Sequence, residues 1–388
     1  MKNKTFLKIA VLSVFFVQMG IGTITPALAS IAAAFPTISF TTLLLVSTGA
    51  VLISVPATLI SGRLAGNVIK YKTLLIIGML LFIFGGIAPY FMTDFFAILA
   101  VRAIFGIGLG IVTPLGAALI IAFFDGEVRA QMMGFGNVAA NVGGILFQLL
   151  GGIAASAFWG YSFLVHGLGI VTFILILFLP EPAKAPCTSA GEIKPKMPAS
   201  VYGFAFAIFA IMILLYPLLV NMSTLIAVGS MGGPADAALV LTMFTVGGMI
   251  AGFIFAKVFR IFQKNTFALG LGLLAIAMAS IGFGNTILFM YIGATAAGFG
   301  FSFIVPTIFM DLGAAVHPSQ IPTASGIVLA SMNIGGFTSA YFFALMAYVL
   351  GQTGILKFPF YFSLAAFTIG AIAYVLIKLK KADVLLPE

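Results

Sequence analysis

Two ionisable side chains, Arg102 and Asp311, stand inside long apolar runs of this 388-residue chain. A charge held at the centre of a bilayer costs about 3 kcal/mol or more unless it is paired or hydrated, so both are candidates for handling charge rather than for packing. Asp311 follows Pro306 by about one helical turn and sits near the end of its run. An Asp in an apolar cleft can carry a proton and release it when the cleft turns toward water. The alternative for Asp311 is a gate or helix-end carboxylate, bonded to backbone amides or to a basic loop residue. For Arg102 the alternative is a structural cation tied to backbone carbonyls or to a polar neighbour such as Gln18.

Neutral polar groups supply the remaining chemistry. The first run carries Gln18, Thr23 and Thr25, and the seventh carries Tyr216, Asn221, Ser223 and Thr224. Asn141 and Asn333 occur in the fifth and eleventh. Such groups either meet a solute in a cavity or hydrogen-bond one helix to another. His166, close to Trp159 and Tyr161, reads as an aromatic at the membrane interface, and His317 reads as a solvated loop residue. One cysteine and two histidines leave no thiolate cluster or disulfide framework, and no metal or other cofactor is expected.

The elements that must position these groups are membrane helices. With 62% hydrophobic and only 7% charged residues, against about 25% charged in soluble domains, a soluble fold is excluded. Apolar runs at 7–31, 41–62, 73–93, 95–121, 131–154, 160–180, 201–228, 236–257, 266–283, 287–314, 323–350 and 358–378 predict twelve transmembrane helices in an all-α membrane protein. Closed barrels are excluded, because the runs lack alternation and are about twice a membrane strand in length. The first run is too long for a secretory signal and is expected to remain as the first helix.

Of the 18 Lys and Arg residues, all but Arg102 and Lys357 fall in the N-terminus, the C-terminus or alternate loops. Basic residues in short loops are retained on the cytoplasmic side, so both termini are expected to be cytoplasmic. The net charge of +9 is therefore a topology signal, and no nucleic-acid partner is expected. The stretch Glu181 to Ser200, with four prolines and mixed charges, divides six helices from six. The domain organisation predicted is 1–183, a linker at 184–200, and 201–388.

An offset of 192 superposes the fourth and fifth runs on the tenth and eleventh. Gly106, Gly108, Pro114, Ala122, Gly134, Asn141, Gly143 and Gly144 fall on Gly298, Gly300, Pro306, Ala314, Gly326, Asn333, Gly335 and Gly336. This predicts two pseudo-symmetric six-helix bundles. The glycines are expected to pack helices closely, as a rocking contact between the halves would require.

With these residues in view, the chain resembles the major facilitator superfamily, most closely its 12-helix drug:proton antiporter group. The loop Ser61-Gly-Arg-Leu-Ala-Gly-Asn-Val-Ile-Lys-Tyr-Lys72 is similar to the superfamily's Gly-x-Leu-Ala-Asp-Arg-x-Gly-Arg-Arg signature. Gly62, Leu64, Ala65, Lys70 and Lys72 match, and Arg63 adds a further charge. Gly66 replaces the acidic residue that holds one gate state in the family, Asn67 replaces the basic one, and Ile69 replaces the second glycine. The counterpart around Gly252 and Arg260 matches less of the signature. Leu99-Ala-Val-Arg-Ala-Ile-Phe-Gly-Ile-Gly-Leu-Gly110 is similar to the family's Leu-x-x-Arg-x-x-Gln-Gly-x-Gly motif, which assigns Arg102 to coupling or cavity shaping. Gly136 to Gly144, with Gly151-Gly152, resembles the antiporters' fifth-helix motif without its Gly-Pro pair.

The resemblance implies the major facilitator fold and a monomeric secondary transporter in the cell's inner (plasma) membrane, working by alternating access. Its expected activity is proton-coupled efflux of small amphipathic or drug-like compounds. Arg102 and Asp311 are the coupling candidates, and Gln18, Asn141, Tyr216, Asn221 and Asn333 are the cavity candidates. Many such exporters carry an acidic residue in the first or seventh helix, and this chain has none there. Uptake or facilitated passage of a small organic anion or other metabolite, with Arg102 as carboxylate clamp, is the alternative. An enzyme is not expected, because too few ionisable groups converge at any site.

Overall fold

The computed structural model describes residues 4–66, 68–182, 197–316 and 321–383. Most of the linker at 184–200, together with Asn67 and His317, lies outside the described residues, as does the side chain of Arg63. The architecture is all helical. Among the described residues, eleven helices are long and apolar enough to cross a membrane, and Tyr161–Leu177 adds a shorter apolar twelfth. In chain order they are α1 (Thr5–Ala34), α2 (Phe40–Leu64), α3 (Tyr71–Phe91), α4 (Phe95–Phe123), α5 (Gly126–Ala157) and α6 (Tyr161–Leu177). Then follow α7 (Ala199–Val228), α8 (Pro234–Phe262), α9 (Thr266–Phe283), α10 (Ile287–Ala315), α11 (Ile321–Val349) and α12 (Phe358–Asp383).

Every predicted run overlaps one helix, but several helices overrun it. α5 begins at Gly126 instead of 131, and α8 continues to Phe262 instead of 257. The extra turns carry Glu127, Arg129 and Arg260. Hydropathy marks the edge of the hydrocarbon, whereas the backbone ladder continues into the polar zone beyond it.

The chain divides into two compact units, residues 1–193 with 233–238 and residues 194–232 with 239–388. In the first, α4 packs on α2 and α3, and α1 packs on α5; in the second, α10 packs on α9, α7 on α11, and α12 on α9.

Local chemistry explains how the helix ends are closed. Ser39 accepts from Thr42 N at 3.2 Å to cap α2, and Asp94 accepts from Ala97 N at 2.7 Å to cap α4. Arg129 ties the end of α4 to the start of α5, donating to the Phe124 and Ile121 carbonyls and pairing with Asp125 at 2.8 Å. α11 ends where Gly351 takes φ of +65° and Gln352 N reaches back to Ala347 O at 2.7 Å.

Prolines inside the helices remove backbone donors, and hydroxyls replace two of them. The carbonyl four residues before Pro114 is that of Gly110, which accepts from Thr58 Oγ1 on α2 at 3.0 Å. The one before Pro217 is that of Ile213, which accepts from Ser339 Oγ on α11 at 2.7 Å. Lipid supplies no donor to a freed carbonyl, so each kink is stable only with such a partner. Around Pro26 the middle of α1, Val17–Ala27, winds as a 3₁₀ helix.

The sequence repeat recurs as equivalent contacts inside each unit. Gly108 lets α4 approach the Gly78 carbonyl of α3 so closely that an added Cβ would lie 2.7 Å away, and Gly300 does the same against Gly270 O of α9 at 2.7 Å. Gly143 admits the Phe16 carbonyl of α1, and Gly335 admits the Phe209 carbonyl of α7 at 2.5 Å. Among the fifth-helix glycines, expected to serve a contact between the halves, Gly152 packs against Pro234 and Ala238 at the start of α8, residues that group with the first compact unit. Gly136, Gly143, Gly144 and Gly151 all pack on α1 within their own unit. The 3₁₀ stretch of α1 is seated against α5 along that glycine row.

Candidate functional site

Arg102 projects from α4 into the interior of the first unit and is 1% exposed. Its Nε donates to the Val46 carbonyl of α2 at 3.0 Å, and its guanidinium carbon lies 3.9 Å from the centre of the Phe105 ring. Nη1 and Nη2 have no hydrogen-bond partner among the described residues. A carbonyl and a ring face thus hold the cation without a carboxylate. A desolvated cation–π contact contributes about 2 kcal/mol and a charged hydrogen bond about 1.5–3 kcal/mol. Burying the ion costs several kcal/mol, so the seat is only partly compensated.

The far edge of Phe105 meets His166, ring centres 4.9 Å apart and nearly perpendicular. His166 is fully buried, among Phe82, Phe105 and Phe147, with Nδ1 3.0 Å from the Phe163 carbonyl. This corrects its reading as an interfacial aromatic. The 3₁₀ turn Val165–Leu168 breaks α6 and points the imidazole inward, and Gly86 on α3 makes the room, since a Cβ there would lie 2.5 Å from His166 Cβ. Trp159 instead packs on Phe35 and Phe158. Gln18 is half-buried on α1. Its amide donates to Thr113 O at 3.1 Å, linking α1 to α4 beside Pro114.

The hydroxyls of the first helix are spent on its own backbone, Thr23 on Gly20 O and Thr25 on Gly22 O. The seventh differs. Asn221 Oδ1 and Thr224 Oγ1 are buried and have no hydrogen-bond partner among the described residues. Three residues apart, they occupy one face of α7. Tyr216 lies half-buried on α7 with its ring against Gly336 of α11, and Asn333 is half-buried on α11. Asn141 is half-buried on α5. Seven residues on, along the same face, Gln148 Oε1 is a further buried acceptor without a partner, and sequence reasoning missed it. The signal was present as a lone amide in an apolar run at helical spacing from Asn141.

Asp311 is half-buried on α10, close enough for its charge to act on Tyr374 of α12. Leu225 of α7 and Asn285, just before α10, line one cavity, so α7 ends where α10 begins. Thr224 and Asp311, each four residues from a helix end, therefore stand near opposite faces of the unit, on the order of 30 Å apart at 1.5 Å per residue. The structure does not bring these two candidates together.

Gly62, in the last turn of α2, and Lys70, in the loop before α3, are exposed. Gly66 has φ of +74°, and a side chain there would run into the Tyr71 ring at 2.5 Å. The acidic residue of the resembled signature has no place in this turn. Glu181, just past α6, provides a carboxylate instead, accepting from Tyr71 N at 2.7 Å and Lys72 N at 3.0 Å. Lys72 Nζ returns a bond to the Leu177 carbonyl at 2.6 Å. The start of α3 and the end of α6 thereby cap each other, with charges suited to the two helix ends.

Residues 10–231, more than half of the chain, match the family model of the Major Facilitator Superfamily. The chain belongs to this superfamily. As a member, it is a multi-pass membrane transporter. It is 25% identical over 297 residues to a probable sugar efflux transporter of Mannheimia succiniciproducens, covering 73% of this chain and 71% of that one. Among solved structures it is similar to the peptide transporter PepTSo, with a TM-score of 0.77 at 10% identity over 98% of this chain and 99% of the other. It is also similar to the nucleoside transporter NupG, at 0.74 and 13% over 95% and 98%. For a D-xylose-proton symporter the values are 0.68 and 15% over 93% and 96%. At these identities the likeness concerns the superfamily's fold.

Proposed function

We propose that this transporter exports small amphipathic solutes by proton-coupled alternating access, with neutral hydroxylated compounds foremost among them. The observation that carries the reading is the pair Asn221 Oδ1 and Thr224 Oγ1, buried on one face of α7 and left without a donor among the described residues. A buried polar atom without a partner costs about 1–3 kcal/mol, and a solute hydroxyl that supplies the donor recovers that cost on binding. Gln148 is a matching neutral acceptor in the first unit. Neutral acceptors among Phe, Met and Leu suit glycoside-like or drug-like molecules better than ions. The printed name of the Mannheimia relative, a sugar efflux transporter, supports both the direction and the hydroxylated class.

In this proposal residues 1–183 and 201–388 are the two bodies that rock, both termini are cytoplasmic, the membrane is the cell's inner membrane, and the unit of function is a monomer. Asp311 carries the proton at the face opposite the α7 pair, so coupling runs through conformation and not through direct competition. Arg102 acts as a positioning residue for α2 and α4, and its buried seat weighs against the alternative of a carboxylate clamp. Efflux into inverted vesicles tests this. Alkyl glycosides are expected to accumulate only with a proton gradient, and Asp311→Asn is expected to abolish that dependence while keeping gradient-free exchange. Uptake of organic acids with indifference to glycosides would establish the alternative.

A further inference from the structure

Lys357 is the loop lysine that the basic-residue pattern leaves on the wrong side of the membrane. It sits between α11 and α12, where Nζ donates to the Gly284 carbonyl at 2.7 Å and to Asn285 Oδ1 at 2.8 Å. Both partners are neutral, and no carboxylate pairs with the ammonium among the described residues. One of its three N–H groups remains uncommitted. Lys357 borders a cavity of about 320 Å³ whose other walls include Leu225, Val228, Met231 and Leu356. Tyr361, which donates to Gly282 O at 2.9 Å, fixes one wall. The cavity is within the usual range for small-molecule sites, about 300–1,000 Å³.

A fixed cation without a counter-ion, at the edge of an apolar cup, selects a ligand with one negative charge and an apolar tail. We propose that this end of the second unit, opposite the C-terminus, binds a monoanionic amphiphile such as a medium-chain carboxylate. The head group takes the free N–H of Lys357, and the tail lies against Leu225, Val228 and Leu356. The site lies about one helical turn beyond the α7 polar pair, Leu225 and Val228 following Asn221 and Thr224 by four residues, and at the opposite end of the unit from Asp311.

Calorimetry with octanoate on the purified chain in neutral detergent tests the assignment, with octanol as the uncharged control. Saturable octanoate binding is expected. Lys357→Gln keeps a donor for the Gly284 carbonyl and removes the charge, and it should weaken octanoate at least about ten-fold while leaving octanol unchanged. Val228→Trp, which fills the cup and leaves Lys357 in place, should abolish octanoate binding. In nanodiscs, competition by phosphatidylglycerol but not phosphatidylcholine assigns the site to a lipid head group, and its absence assigns the site to a free carboxylate. Undiminished octanoate binding in either variant, or no saturable binding at all, overturns the proposal.

Discussion

Arg102 illustrates how a residue's type is legible in sequence while its partners are not. A lone Arg in an apolar run announces a role, but the Val46 carbonyl and the Phe105 ring that hold it belong to separate turns of the fold. A buried ion without a counter-ion is retained against stability, so Arg102→Met should leave the thermal midpoint unchanged or raised. Transport should fall on the order of ten-fold, a loss of about 1.4 kcal/mol, because α2 and α4 lose their shared anchor. Measuring both on one preparation checks this, and a lowered midpoint with full transport would contradict it. Glu181 was less legible, because nothing in its own stretch signals that it caps a helix more than a hundred residues earlier. His166 was misjudged for a related reason: distance from a helix end predicts depth only where the helix is regular, and α6 is broken beside it.

Element positions were largely legible, because run length and breaker residues respond to the same hydrocarbon thickness that the helices must span. What sequence could not supply is which helix repairs which kink. Ser339 on α11 completes the carbonyl that Pro217 frees on α7, so Ser339→Ala should cost about 1–3 kcal/mol in unfolding measurements. Adding Pro217→Leu restores the helical donor and should reduce that cost to under about 1 kcal/mol, a coupling read from the double-mutant cycle. Equal costs in both backgrounds would contradict the account. The glycines make a second comparison. Gly143→Ala and Gly335→Ala press a methyl against a carbonyl and should each destabilise by about 1–3 kcal/mol. Gly134→Ala and Gly326→Ala enter open space and should be neutral or stabilising by up to about 1 kcal/mol.

At the scale of the whole molecule, the repeat was the most legible feature. Close backbone approaches admit only glycine, so duplicated contacts preserve duplicated glycines even where the rest of the sequence has diverged. The solute proposed was the least legible, because the reading rests on a few neutral atoms such as Asn221 Oδ1 and Gln148 Oε1, whose lack of a partner among the described residues shows only in three dimensions. The central claim is that the two units form a carrier that exposes one site alternately to each side of the membrane. Trans-stimulation in proteoliposomes tests it most directly: vesicles are loaded with a labelled alkyl glucoside, the proton gradient is collapsed, and exit is timed with and without unlabelled glucoside outside. The account predicts saturable exit that external glucoside accelerates, and that acceleration should be weakened by Asn221→Leu. Exit that is linear in concentration and indifferent to external glucoside would contradict it.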